Sequence, residues 1–140
     1  MINTYMATAP QTQIANANSD RWAYDISQNV ITKGEIYDVD VINQSIENIL
    51  MTMVGERIFN VTYGSNIILR VFESITPQSG EQILNDVVAT IKRWENRISI
   101  IESDIHLTID TDSNSALIEV PYRILNSGLT STFKKKIVNY

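Results

Sequence analysis

Carboxylates are the most abundant groups in this sequence that could do chemistry. The chain has 16 Asp and Glu residues among 140. Two of them could hydrolyse a glycosidic bond if an apolar pocket kept one neutral while the other stayed ionised. Glu56 is followed by Arg57, and Glu95 by Arg97 two residues on, and a neighbouring guanidinium favours the ionised carboxylate. This pattern argues against general acid catalysis by either Glu.

Cysteine and histidine, the usual soft metal ligands and catalytic groups, are scarce. The chain has no Cys and a single His, His106, which excludes thiol catalysis, a thiolate metal site and a multi-histidine metal site. Residues 110–114 resemble part of a calcium loop but lack the Gly and the bidentate Glu that complete one, so a hairpin turn is the better interpretation. We therefore predict no metal, no cofactor and no small-molecule ligand.

Charge and hydropathy limit the partners. The net charge is −5, which disfavours binding to nucleic acid through phosphate neutralisation. No apolar run approaches the roughly 20 residues of a membrane span. We therefore expect neither nucleic acid nor membrane as a partner.

One basic run, Lys134, Lys135 and Lys136, lies in a strand-like segment near the C-terminus. Lysines on a terminal strand can protect its edge from unwanted pairing. Alternatively, the edge receives a strand from a partner, and the lysines attract an acidic surface. The sequence leaves both interpretations open.

Three segments carry apolar residues at the three- and four-residue spacing of amphipathic helices. The first covers roughly residues 38–54 and stops at Gly55. The second is shorter and uses Ser65 as its N-cap. The third begins at Ser79 and ends near Trp94.

The strands are predicted by alternation of apolar and polar residues. One short strand falls in residues 21–28, and three more fall in residues 98–110, 118–124 and 129–138. Pro121 cannot donate a ladder hydrogen bond, so its strand is expected at an edge or at a bulge. This order predicts an α+β fold: a short N-terminal strand, three helices, and a small antiparallel β-meander with the helices packed on one face.

The chain is short enough for one domain, with a tail. Residues 1–19 are rich in Asn, Gln, Thr and Ala and carry no charge and no period. We predict a flexible or partner-ordered N-terminal arm over residues 1–19 and a single domain over residues 20–140.

Two motifs resemble a known family. The first runs from the helical residues 44–52 through Gly-Glu-Arg-Ile-Phe at 55–59 to Tyr-Gly-Ser at 63–65, and the second is Glu-Asn-Arg at 95–97. Over roughly residues 20–126, the chain is similar to the baseplate wedge and sheath-initiator family of contractile-tailed, T-even-type phages. That family includes the baseplate-like component of type VI secretion machines.

The sequence departs from the family pattern at two positions. Val61 stands where the family has a proline before its aromatic-Gly pair, and Asn96 stands where the family has the proline of Glu-Pro-Arg. The family's Glu-Pro-Arg region helps to dock the protein on the helical core of the wedge.

The resemblance implies a structural, non-enzymatic protein, present in several copies around a six-fold baseplate. It would link the wedge core proteins to the first ring of the tail sheath, and its sheet would start polymerisation of the sheath subunit by strand exchange. The implied location is the virion tail baseplate, assembled in the host cytoplasm. The expected protein-interface residues are Glu56, Arg57, Glu95, Arg97, Lys134, Lys135 and Lys136.

Two other function classes stay open. One is a tail-associated, lysozyme-like peptidoglycan hydrolase, which rests on the many carboxylates and the tail context. The other is a regulatory binding module, because a fold does not determine a function.

Overall fold

The structure, a computed structural model, describes residues 24–26, 35–71, 73, 77–110, 112–113 and 115–138. The chain divides into two compact units, residues 1–42 and residues 43–140. The predicted arm, residues 1–19, lies outside the described residues, so the division into an arm and one domain over residues 20–140 stays a prediction.

The first unit contains a small antiparallel pair of strands, β1 (Tyr24–Ile26) and β2 (Glu35–Tyr37). The sequence predicts a strand in the region of β1, but it does not predict β2. The residues of β1 lie within a longer alternating run at 21–28, whereas the Glu-Ile-Tyr of β2 does not alternate, and alternation is the signal that identifies strands in a sequence.

Three helices bury apolar faces: α1 (Val39–Met51), α2 (Ile67–Val71) and α3 (Pro77–Trp94). The helix α1 begins in the first unit and continues into the second, where it ends three residues before the predicted end. The helix α3 begins two residues before Ser79, because proline suits the first turn of a helix. Within the second unit, the buried apolar residues of these helices recur at helical spacing. They are Ile46, Ile49, Leu50, Ile67, Val71, Ile83, Val87 and Ile91.

A four-stranded antiparallel sheet completes the second unit. Its strands are β3 (Ile98–Ile100), β4 (His106–Asp110), β5 (Ser115–Ile124) and β6 (Thr130–Val138). The central strand β5 pairs with β6 along one side, and with β3 and then β4 along the other. The α+β prediction is confirmed, although the first predicted strand of the meander is split by a 3₁₀ turn at Glu102–Asp104.

The predicted edge position of Pro121 is wrong, because β5 is the central strand; the alternative prediction of a bulge holds only in that the ladder to β3 and β4 is interrupted at Pro121. The carbonyl of Pro121 accepts a hydrogen bond from the Ile101 N–H at 3.0 Å. The backbone polar groups of one strand residue point to the same side, so the missing N–H of Pro121 also faces Ile101. The ladder on that side is interrupted between β3 and β4, and proline is tolerated there because the gap requires no donor.

The two faces of the sheet differ in burial. On β5 the residues Ala116, Ile118, Val120, Tyr122 and Ile124 are fully buried. The helix α1 contacts this face, where the Tyr122 hydroxyl donates to Asn43 Oδ1 at 2.7 Å. The opposite face carries mostly polar, partly exposed side chains, as expected for an antiparallel sheet covered on one side.

Candidate functional site

The junction between α3 and β3 contains a buried carboxylate paired with an arginine. The last turn of α3 closes with the Glu95 N–H donating to the Ile91 carbonyl at 2.7 Å, and only 3% of the Glu95 side chain is exposed. Arg97 Nε donates to Glu95 Oε1 at 2.6 Å, and Arg97 Nη2 donates to Oε2 at 2.5 Å. This two-bond fork is the strongest geometry for a guanidinium and a carboxylate.

The protonation of Glu95 follows from this geometry. Burial by itself raises the pKa of Glu95, because a buried charge loses its hydration. Hydrogen bonds from Arg97 and Ser45 and the charge of Arg97 outweigh burial, so the net pKa lies below its ordinary value of 4.5. Glu95 is therefore ionised near neutral pH, and its bond with Ser45 connects this junction to α1.

The helix α3 ends at Trp94, before the position of the missing family proline. Asn96 occupies a turn between Glu95 and Arg97, and the Leu125 N–H donates to the Arg97 carbonyl at 3.0 Å. The helix end and the Glu95–Arg97 ion pair therefore both form with Asn96 in place of a proline.

The connection between α1 and α2 is a loop with a closed neck, which we call the 53–64 loop. At its neck the Ser65 N–H donates to the Thr52 carbonyl at 2.8 Å. Gly64 has φ +106°, and a Cβ there would lie 2.2 Å from the Thr52 carbonyl oxygen. Only glycine permits this approach, and a compact surface loop with adjacent ends is an Ω-type loop.

Hydrogen bonds also brace the loop internally. The Gly55 N–H donates to the Val61 carbonyl at 2.9 Å, and the Met53 N–H donates to Glu56 Oε2 at 3.0 Å. The acceptor of the first bond is the backbone carbonyl of Val61. A proline at this position also has a backbone carbonyl, so the substitution keeps the acceptor. Glu56 therefore binds the backbone of its own loop, whereas the sequence suggested that Arg57 compensates it.

Contacts between aromatic rings and guanidinium groups pack the loop against the end of α3. The Arg57 guanidinium lies 3.8 Å from the centroid of the Tyr63 ring, and this ring lies 5.2 Å from that of Trp94, tilted by 57°. The Arg93 guanidinium lies 5.0 Å from the centroid of the Trp94 ring. We call these four residues the ring stack; its contacts are cation–π pairs around a tilted aromatic pair.

Two large apolar side chains project from the loop. Ile58 is 85% exposed and Phe59 is fully exposed. The family resemblance predicted the charged neighbours Glu56 and Arg57 as interface residues and did not predict this pair. The signal that could have found them is an apolar pair in a connector, outside any helical or alternating period.

The three lysines do not form one cluster. Lys134 and Lys136 point to the open face of the sheet, where Lys134 pairs with Glu119 directly across the ladder. Lys135 points to the helical face and pairs with Glu47 of α1. The charge of Lys136 contributes to the lowered pKa of Asp110, whose main cause is the hydrogen bond from the Ser113 hydroxyl.

The segment that resembles a calcium loop is a turn in the described part of the chain. Asp110 accepts hydrogen bonds from the backbone N–H groups of Asp112 and Ser113 at 3.0 and 3.2 Å, an Asx turn between β4 and β5. Among the described residues, no group of three or more His, Cys, Asp or Glu side chains is placed to hold a metal ion. None of the described helices combines the length and apolarity needed to cross a bilayer.

Comparison with known proteins identifies the family. Residues 38–128, which include the 53–64 loop and the Glu95–Arg97 pair, match the family of baseplate wedge protein gp25. This chain belongs to the gp25 baseplate wedge family. The resemblance predicted from the two motifs is therefore confirmed, and family membership makes the chain a structural component of the tail baseplate that assembles with other baseplate proteins.

Two solved structures share the fold. A candidate tail lysozyme from Geobacter sulfurreducens has a TM-score of 0.65 and 25% identity, covering 72% of this chain and 90% of its own. The postcontracted baseplate of pyocin R2 contains a chain with a TM-score of 0.53 and 17% identity, covering 84% of this chain and 100% of its own. At 17% identity the second likeness shows the fold alone. A search of curated proteins finds no significant match.

Proposed function

We propose that this gp25-family protein joins the wedge core of a contractile tail to the first ring of the sheath. In this proposal, its sheet starts sheath polymerisation by pairing with a strand of the sheath subunit, and several copies act around the six-fold baseplate. Family membership supports the wedge part of the proposal, and the geometry of β6 supports the strand pairing.

The observation that carries the proposal is the outer edge of β6. The Ile124 N–H donates to the Leu129 carbonyl at 2.8 Å, so in β6 the alternate residues from Ser131 onward face β5. The backbone groups of Thr130, Thr132, Lys134, Lys136 and Val138 then point away from β5. Among the residues that the structure describes, no strand pairs with this nine-residue edge, so an incoming strand could complete its hydrogen bonds.

The opposite edge of the sheet is a poorer template. It consists of β3 and β4, which have three and five residues and are separated by the 3₁₀ turn. An added strand would have to bridge that interruption. The uninterrupted β6 edge therefore suits a segment that must pair in one register.

Two lysines bear on the charge of an incoming strand. Lys134 and Lys136 lie on the open face beside the edge and are both exposed, although Lys134 also pairs with Glu119. They would attract an acidic incoming strand and repel a basic one. Because lysines also discourage unselective pairing, the two interpretations of the basic run are compatible.

The helical side provides the wedge attachment. The Arg97 side chain is 39% exposed while it holds Glu95. The two-bond fork fixes the side chain in one orientation, so a partner that contacts its exposed part would pay little conformational entropy. We assign the Glu95–Arg97 corner, together with Glu56 and Arg57, to this attachment.

Assembly in vitro tests the proposal. Purified sheath subunit and wedge complex, mixed with the wild-type protein, should form sheath rings faster than without it. Thr132→Pro removes a backbone donor that points out of the β6 edge and should abolish this acceleration. Thr132→Val keeps that donor and should behave as wild type. Equal ring formation without the protein would refute sheath initiation.

The name of the Geobacter sulfurreducens neighbour makes hydrolysis the second candidate function. The geometry of Glu95 opposes it, because a general acid needs a raised pKa and burial among neutral groups. Zymography on cell wall with wild type, Glu56→Gln and Glu95→Gln decides the matter. Clearing that disappears in either variant would favour the hydrolase.

A further inference from the structure

We propose that the tip of the 53–64 loop is the anchor by which this protein docks on another baseplate protein, one that offers an apolar pocket with carboxylates on its rim. Ile58 and Phe59 would enter the pocket, and Arg57 and Arg93 would face the rim. This inference rests on the wedge attachment proposed above and is independent of sheath initiation.

The first argument is the exposure of the two side chains. Ile58 and Phe59 are adjacent, large and apolar, and both stand in solvent. Burying two such side chains in a partner removes a large apolar area from water, which is the main driving force of protein association. Aromatic anchors in pockets are typical centres of binding energy.

The second argument is the rigidity of the 53–64 loop. The neck of the loop closes through Thr52 and Ser65, and Gly64 fits only as glycine. Within the loop, the residues that flank the apolar pair are joined, because the Asn60 N–H donates to the Arg57 carbonyl at 3.3 Å. A braced tip loses little conformational entropy on binding, so more of the burial energy appears as affinity.

The third argument is the local charge. The protein is acidic overall, yet the ring stack places two cationic side chains, Arg57 and Arg93, next to the loop. In the described part of the chain, neither guanidinium forms an ion pair with a carboxylate, and both lie over rings. The nearby Glu56 carboxylate already accepts the Met53 N–H. This cationic margin is complementary to an acidic rim.

The shape of the surface selects a protein rather than a bilayer. Beside the loop lies an open groove of about 400 Å³, lined by residues that include Val54, Thr62, Arg93 and Trp94. A protein can fill this recess with a side chain of its own while it receives Phe59. The flat surface of a membrane would leave the groove empty.

The test uses the wedge complex assembled from the other baseplate proteins of the same particle. Its affinity for the full chain should fall by roughly 30-fold with Phe59→Ser and by a smaller factor with Ile58→Ser. Leu125→Ser is the control, since Leu125 is also a large apolar side chain that is mostly exposed, at 62%, but it lies in the turn between β5 and β6. The wedge complex should bind Leu125→Ser as tightly as it binds wild type.

Two further measurements identify the chemistry. Arg57→Gln should weaken binding most at low salt, with the difference shrinking as ionic strength rises. Thermal melting of Phe59→Ser should match wild type, because the side chain contacts little of its own protein.

Three outcomes would overturn the inference: unchanged affinity with Phe59→Ser, an equal loss with Leu125→Ser, or Phe59-dependent binding to anionic vesicles without binding to the wedge complex. The sheath-ring assay is separate. If rings form without the protein while Phe59→Ser loses wedge binding, sheath initiation fails and the anchor stands. If Phe59→Ser binds normally while Thr132→Pro blocks ring formation, the anchor fails and initiation stands.

Discussion

Arg97 holds both carboxylate oxygens of Glu95, a residue only two positions away, by hydrogen bonds of 2.6 and 2.5 Å. The chain must turn sharply between them, and this turn is the passage from α3 to β3. The ion pair therefore builds the junction between the helical layer and the sheet. The interface role proposed for Arg97 would act in addition to this structural one.

Arg97→Ala should lower the free energy of unfolding by about 2 kcal/mol, because it leaves the Glu95 carboxylate buried without its main partner. This value is reduced from that of a fully buried pair, since Arg97 is partly exposed. Chemical denaturation measures it. Arg93→Ala is the control, because Arg93 occupies the last turn of the same helix and contacts a ring.

The double variant Glu95→Gln with Arg97→Ala should recover part of this loss, because a neutral amide costs less to bury than a carboxylate. An Arg97→Ala protein as stable as Arg93→Ala would contradict the structural role of the pair.

The same pair predicts a dependence of stability on pH. Because the pKa of Glu95 is lower in the folded state than its ordinary 4.5, the unfolded chain takes up the proton first as the pH falls. The stability contributed by ionised Glu95 is therefore complete above about pH 4.5 and is lost as the pH drops through the folded-state value.

Denaturation curves from pH 7 to pH 3 measure this effect. Glu95→Gln should be the less stable protein at pH 7, and its difference from wild type should shrink below pH 4.5. Parallel curves for the two proteins over the whole range would show that Glu95 contributes no such linkage.

Proline substitutions in β6 test which backbone groups face outward. Thr132→Pro should cost about 1 kcal/mol or less in unfolding free energy, because its N–H points away from β5. Ser131→Pro should cost more than about 2 kcal/mol, because it removes a ladder hydrogen bond to Tyr122. The reverse order of stabilities would mean that the β6 edge presents the other set of residues.

Glycine substitutions test the neck of the 53–64 loop. Gly64→Ala should destabilise by more than about 3 kcal/mol, since it adds both backbone strain and overlap with the Thr52 carbonyl. Gly55→Ala has a similar positive φ but open space, so about 1 to 2 kcal/mol is expected.

Gly80 lies within α3, and a Cβ there meets nothing within 4 Å. Gly80→Ala should stabilise by about 0.5 kcal/mol through helix propensity. Thermal melts of the three variants provide the comparison. Equal effects of Gly64→Ala and Gly55→Ala would exclude a steric requirement at the neck.

The sequence by itself determined the helices, the alternating strands and the family. Residues such as Ile83, Val87 and Ile91 recur at helical spacing, and Ile118, Val120 and Tyr122 recur at every second position, so each face is encoded in the period. The family motifs are local in the same sense, because they are read along the chain.

The tertiary structure decided which side chains meet. A period reports the face on which a residue lies but not the neighbour that covers it, so the strand of Pro121 was expected at an edge or at a bulge, and it is the central strand. Likewise, Ser45 and Glu95 are joined only by the packing of α1 against the end of α3. The exposure of Phe59 also follows from tertiary structure, because an apolar side chain is left in solvent only when the folded chain offers nothing to cover it.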